Sequence, residues 1–283
     1  MKAARLGCVK YLNASPLIHG WPGPVTFDHP SALCAQLARG DLDIALVSSF
    51  ELLRNPLYRV VDGLSISSDG PVYSVVVAHR GNISEVEEIE LDPASETSAN
   101  LLRCLLAEGR TPRSTGCQPV TPGSLPATSS QVHTFTAASR QTAEMAKPTA
   151  GAPQIHPRLL IGDQAIRFRH EHENEFSFWD LGEAWKQLVD LPFVYALWLV
   201  RPEVADASSI ANKLRALCDA NLRNIDILTA QQTDFPREFC HRYWSENIRF
   251  SFGEKGKAGL RTFADLCARH GLLPNREPVL RLV

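Results

Sequence analysis

Apolar and polar positions along this chain switch repeatedly between a period near two and a period near 3.6. Residues 5–9, 25–27, 41–47, 59–66 and 72–79 are strand-length apolar runs, and helical spacing fills much of the sequence between them. Leu33 and Leu37 stand at i and i+4 of a helix expected over 32–39, opened by Pro30-Ser31 and stopped by Gly40. Asn13-Ala14-Ser15-Pro16 reads as a turn into a helix, with Asn or Ser as the cap and Pro in the first turn. Ser48-Ser49 is placed to cap a short helix at 50–53. A strand at 88–91 and a helix capped by Thr97 or Ser98, running to about Leu106, make a further βα unit. Strands alternating with helices imply an α/β fold with a parallel or mixed sheet.

The pattern breaks at 107–153, a stretch rich in Thr, Ser, Pro, Ala and Gln with almost no Leu, Ile, Val or Phe. Such a composition buries too little apolar area to offset its ordering entropy, so a disordered insertion is expected. Order resumes at 157–163 with a strand ending in a Gly-Asp turn, followed by a helix at 181–189 and a long, fully apolar strand at 191–201. Helices are expected at 203–218, 220–231, 236–247 and 256–271. This order suggests two α/β lobes crossed twice by the chain. Lobe I takes residues 1–76 and 198–283, and lobe II takes 77–197 with the insertion inside it. The cleft between them collects loops at strand C-termini, where open α/β sheets bind ligands.

A formal charge of −2 over 283 residues leaves no basic face for nucleic acid. No apolar run reaches the ~18 residues of a membrane span, and the N-terminal residues lack the apolar segment of a signal peptide. A cytoplasmic location is expected. The seven cysteines are odd in number and scattered, with no CxxC, which suits neither a disulfide framework nor a zinc site. They are expected to be inert buried thiols.

Candidate chemistry lies in three polar segments. The first runs from Ser65 to Ser74 and places Ser65, Ser67, Ser68 and Ser74 around a Gly-Pro turn between apolar runs. The second is Tyr11-Leu12-Asn13, and the third is Ser95-Glu96-Thr97-Ser98. Hydroxyls, an amide and a helix N-terminus suit a small polar acid. Strand alternation puts Ser65 and Ser67 on one face. Ser95, Thr97 and Ser98 serve equally as plain cap residues, and Asn13 as a turn residue. Ser48 and Ser49 either reach the cleft or cap the helix that follows. Asp163 is the ionisable candidate, although a carboxylate beside an acidic ligand must be protonated or paired. His19 has no clear role. His170-Glu171-His172-Glu173 reads as a solvated face.

These residues fall into five ordered motifs: Y-L-N-x-x-P-L at 11–17, G-D-L-D-I-A-L-V-S-S-F-E at 40–51, G-L-S-I-S-S-D-G-P-V-x-S-V at 63–75, L-D-P-x-S-x-T-S at 91–98 and L-L-I-G-D-x-A at 159–165. Together they resemble the MqnA/MqnD family of the futalosine route to menaquinone. The resemblance covers about 1–106 and 157–283. It implies a two-lobed, type 2 periplasmic-binding-protein-like fold and a small-molecule substrate, with neither metal nor cofactor. One branch of that family dehydrates chorismate to 3-[(1-carboxyvinyl)oxy]benzoate. The other makes 1,4-dihydroxy-6-naphthoate and carries a histidine base where this chain has Gly162-Asp163. The resemblance therefore favours the dehydratase, with Asn13 and Asp163 as catalytic candidates. Ser48, Ser65, Ser67, Ser68, Ser74, Ser95, Thr97, Ser98 and Gly162 are its substrate-binding candidates. A non-catalytic protein that captures a small acid is the reading from another class.

Overall fold

A computed structural model of the chain describes residues 4–86, 88–92, 95–110 and 156–283. In the first part of the chain β1 (Leu6–Cys8) leads through a 3₁₀ turn (Leu12–Ala14) into α1 (Ser15–Ile18). Then come β2 (Val25–Phe27), α2 (Pro30–Arg39), β3 (Ile44–Ser48), α3 (Ser49–Arg54), β4 (Arg59–Ser68) and β5 (Val75–His79). The middle holds α4 (Glu96–Ala107), β6 (Arg158–Ile161), α5 (Gly162–His172), β7 (Ser177–Asp180) and α6 (Leu181–Val189). The last part holds β8 (Phe193–Val200), α7 (Ala207–Arg223), α8 (Ile225–Ala230) and α9 (Arg237–Arg242). A π-helical turn (Tyr243–Asn247), β9 (Arg249–Phe252), α10 (Glu254–Arg269) and β10 (Arg281–Leu282) complete it.

Two sheets form. The larger has the order β10-β4-β8-β3-β1-β2, with β9 also on β4. The smaller is β6-β5-β7, with β5 antiparallel to both neighbours. β8 runs antiparallel between β3 and β4, with Ile44 opposite Val200 and Ser48 opposite Ala196. That central place explains its nearly unbroken apolar run, because both faces are covered. The chain passes between sheets twice, from β4 to β5 and from β7 through α6 to β8. Where α6, β8 and α10 meet, Trp185, Phe193 and Phe263 pack edge to face at 4.9–6.1 Å between ring centroids.

The helix at 32–39 ends as its sequence dictates, at Gly40 with φ +82°. Several other expectations need correction. Residues 88–91 make only one bridge, Glu90 to Arg158, rather than a strand. Gly162-Asp163 is not a turn but the start of α5, an element absent from the sequence expectations, as are β7, β9 and β10. Neither Asn13 nor Ser15 caps α1 with its side chain, and α4 is capped by Ser95 rather than by Thr97 or Ser98. The expected irregular segment lies, from residue 111 to 153, outside the described residues. The six described cysteines are buried and free, with the sulfurs of Cys104 and Cys267 3.7 Å apart. Among the described residues no helix is long and apolar enough to cross a membrane.

Candidate functional site

The link between β4 and β5 contains a strained turn. The Ser74 N–H donates to the Val72 carbonyl at 2.8 Å, and Tyr73 between them has φ +66°. A three-residue turn with positive φ at a non-glycine residue survives only when its surroundings enforce it. Asp180, at the end of β7, does so. Its carboxylate accepts from the N–H groups of Val72 (3.1 Å), Tyr73 (2.8 Å), Gly182 (2.9 Å) and Glu183 (3.1 Å), which ties the link to the N-terminus of α6. Burial raises the Asp180 pKa, and the backbone donors oppose that shift. The Tyr73 ring is held by Phe239 at 5.3 Å and by the Arg169 guanidinium at 4.2 Å.

Ser74 thereby reaches a cavity of about 60 Å³ between the two sheets. Asn13, Ser48, Ser95, Ser98 and Gly162 line it as well, with Val9, Tyr11, Leu46, Ile66, Ile161 and Tyr195 as its larger walls. Asn13 arrives on the 3₁₀ turn after β1. Ser95 caps α4 by accepting from the Ser98 N–H at 3.2 Å, and its own hydroxyl donates to Ser98 Oγ at 2.9 Å. Gly162 opens α5 with φ +57°, and a Cβ there would meet the Tyr11 ring at 3.0 Å. The Gly162 N–H donates to the Ser74 carbonyl at 2.8 Å. Two helix N-termini, of α4 and α5, therefore border the cavity. None of the described residues lining it is a carboxylate, a histidine, a lysine or an arginine. Among the described residues no three His, Cys, Asp or Glu side chains gather as metal ligands.

A family model for menaquinone biosynthesis matches residues 4–127 and 129–269. The chain belongs to this menaquinone biosynthesis family. A chorismate dehydratase of Thermus thermophilus is 27% identical over 283 residues, covering 94% of this chain and 95% of that protein. Solved structures below 20% identity show likeness of fold. An Archaeoglobus fulgidus protein superposes with a TM-score of 0.68 at 15% identity, over 95% of this chain and 98% of its own. A Parabacteroides distasonis ABC transporter gives 0.60 at 14%, over 98% and 97%. A Candida albicans protein described as having the generic periplasmic binding protein fold gives 0.54 at 10%, over 98% and 92%. The fold is thus α/β and periplasmic-binding-protein-like.

In this family member the sequence candidates divide. Asn13, Ser48, Ser74, Ser95, Ser98 and Gly162 come together at the cavity. Five candidates do not line it. Ser65 and Ser67 hydroxyls donate to the backbone carbonyls of Ser251 (2.9 Å) and Arg249 (3.0 Å) on β9, bridging a register irregularity in the β4–β9 ladder. They do share a face, 3.2 Å apart, but Ile66 is the β4 residue that reaches the cavity. Ser68 touches it only through the Tyr195 hydroxyl, 3.2 Å away. Thr97 bonds Ser48 Oγ and accepts from the Phe50 N–H at 3.1 Å, capping α3 from α4. Asp163 accepts from the Leu12 N–H at 2.8 Å and faces an adjoining open basin of about 450 Å³ beyond Tyr11. Burial raises the Asp163 pKa, with the Leu12 N–H and Arg167 opposing it. Its contact pins the residue next to Asn13. Ser65→Ala and Ser67→Ala are accordingly expected to keep kcat within about twofold while each costs about 1 kcal/mol of stability, as initial rates and thermal unfolding will show.

Two tyrosines, Tyr195 and Tyr243, were not foreseen, whereas Tyr11 lies in a segment singled out from the sequence. Tyr11 forms one wall, and burial pushes its pKa up to about 12. Tyr195 sits within the apolar β8, where a lone hydroxyl needing a partner was the available signal. Tyr243 is fully buried and its hydroxyl donates to Ser74 Oγ at 2.6 Å, and nothing in its helical surroundings distinguishes it in sequence.

Proposed function

We propose that this protein dehydrates chorismate to 3-[(1-carboxyvinyl)oxy]benzoate, supplying the futalosine route to menaquinone. The observation that carries this reading is a cavity lined by neutral hydrogen-bonding groups and two helix N-termini, with no described side-chain base. The likeness to the Thermus dehydratase supports it. Chorismate brings two carboxylates, and helix N-termini with hydroxyls are suited to hold them. The ring C–H bond beside the enol ether breaks, and its electron pair forms the new ring double bond. The neighbouring C–O bond breaks, and the departing hydroxide takes a proton to leave as water. Aromatisation supplies the driving force. A carboxylate of the substrate carries the proton, because the described residues of the lining offer no protein carboxylate or imidazole for it. The protein's part is to hold the ring, orient its C–O bond and exclude bulk water.

A cavity of about 60 Å³ is well below the ~300 Å³ of small ligand pockets. Substrate entry therefore requires the two lobes, one built on the large sheet with β8 and the other on the small sheet with β5, to part. The contacts that must open include Leu12 N–H to Asp163, Thr97 to Ser48, and the Arg54–Glu96 ion pair. Side-by-side incubation with chorismate and with a cyclic futalosine, followed by mass analysis, tests the reading. Loss of one water from chorismate is expected. Consumption of the futalosine alone, or unchanged recovery of both, would overturn it.

A further inference from the structure

We propose that Tyr243 is a positioning residue for Ser74: by donating its phenol proton to Ser74 Oγ it leaves the Ser74 proton free for the ligand, where it serves the hydroxyl that departs from the substrate. The inference rests on the dehydratase reading and deepens it by assigning the subsite of the leaving group. Tyr243 lies fully buried in the π-helical turn after α9, with its ring stacked on Phe239 at 5.6 Å between centroids and 12° between planes. Phe239 also holds the Tyr73 ring at 5.3 Å, so one side chain braces both the strained turn that carries Ser74 and the phenol that meets it. The Tyr243 hydroxyl donates to Ser74 Oγ at 2.6 Å. The next residue of the same turn, Trp244, donates its indole N–H to the Leu12 carbonyl at 2.8 Å, between Tyr11 and Asn13. One π-helical turn thus grips two segments of the cavity wall, and such turns recur at functional sites.

The other polar groups of Ser74 are already spent. Its N–H donates to the Val72 carbonyl and its carbonyl accepts from the Gly162 N–H, each at 2.8 Å. Its hydroxyl accepts from Tyr243, so its proton is the donor left over, on a buried residue that lines the cavity. A hydroxyl that accepts one hydrogen bond gives its own proton more strongly, because the two bonds polarise each other. Such a donor changes a rate where negative charge grows on an oxygen during the reaction. In the dehydration that oxygen belongs to the departing hydroxyl. The carboxylates carry their charge throughout and are left to Ser95, Ser98 and the helix N-termini. Burial raises the Tyr243 pKa, so the phenol keeps its proton. The pair therefore steadies the departing oxygen by a hydrogen bond without supplying the proton that turns it into water, as a proton carried by the substrate requires.

The test is a double-mutant cycle on chorismate dehydration with Tyr243→Phe, Ser74→Ala and both together, recording kcat, KM and unfolding temperature. Tyr243→Phe is expected to lower kcat about tenfold while KM moves less than about threefold, since the bond it strengthens matters most in the transition state. In the Ser74→Ala background the same change should alter kcat less than about threefold, because the donor it positions is gone. A merely structural phenol would lower the unfolding temperature and leave kcat alone. Wild-type kcat in Tyr243→Phe, a loss confined to KM, or full multiplication of the two single effects overturns the proposal. If Tyr243→Phe fails to fold, NMR of isotope-labelled Asn13→Ala protein, in which turnover is expected to be slow, decides. The Tyr243 Cζ resonance should shift when chorismate is added, and a resonance that chorismate leaves in place overturns the proposal. Failure of the wild type to dehydrate chorismate would strike the proposed function and this subsite with it, whereas turnover without coupling would strike only the role of Tyr243.

Discussion

Asn13→Ala is expected to lower kcat for chorismate dehydration by about a hundredfold or more, an effect of the size seen when one preorganised hydrogen-bonding group is removed from a reaction centre. The reason lies in its amide oxygen, which is buried beside the cavity with no hydrogen-bond partner. Such an atom contributes little to folding and much to a bound hydroxyl. The unfolding temperature should accordingly move by no more than a few degrees. Initial rates over a range of chorismate concentrations, with a thermal melt on the same sample, separate the two effects. A variant with wild-type kcat would remove Asn13 from the reaction centre.

The second large effect falls on stability. Asp180→Ala should cost about 4 kcal/mol, because it leaves the N–H groups of Val72, Tyr73, Gly182 and Glu183 without their acceptor in a buried place. The positive-φ turn at Tyr73 loses its clamp, so Ser74 should lose its position and kcat should fall as well. Chemical denaturation measures the first effect and steady-state rates the second. A pH dependence accompanies it. Burial raises the Asp180 pKa above its ordinary 3.8, so the folded state binds this proton more tightly than the unfolded chain does. The associated stability is present below pH 3.8 and is lost as pH rises through the folded-state value. Asp163 is shifted in the same direction. Asp180→Asn should therefore reduce the fall in stability with rising acidic pH without abolishing it. Unfolding free energies across that range will show whether the slope changes.

The pattern of apolar positions reached most strands of the large sheet because each is bounded by turn residues and, β2 apart, carries buried residues. It reached α2 because Leu33, Leu37 and Gly40 mark both its stripe and its end. It missed β9 and β10, which are short and have exposed positions, and α5, whose polar surface hides its apolar face. The chemical nature of the site residues was legible, but the direction of their side chains was not. Ser65 and Ser67 share a face as alternation requires. Which face meets the cavity was settled by β9, a partner 182 to 186 positions further along the chain. Asp163 was singled out as an acid near a strand end, yet its partner is a backbone N–H 151 residues away. Tyr243 could not be found at all, since its meaning comes only from Ser74 being brought against it.

The most direct measurement is a proton NMR time course of chorismate with purified wild-type protein beside the Asn13→Ala variant. The expected result is conversion by the wild type to a benzoate that retains the enolpyruvyl methylene protons, with conversion by the variant slowed about a hundredfold. Chorismate that persists unchanged with the wild type, or that loses its enolpyruvyl group instead of water, would contradict the assignment of this cavity as a chorismate dehydration site.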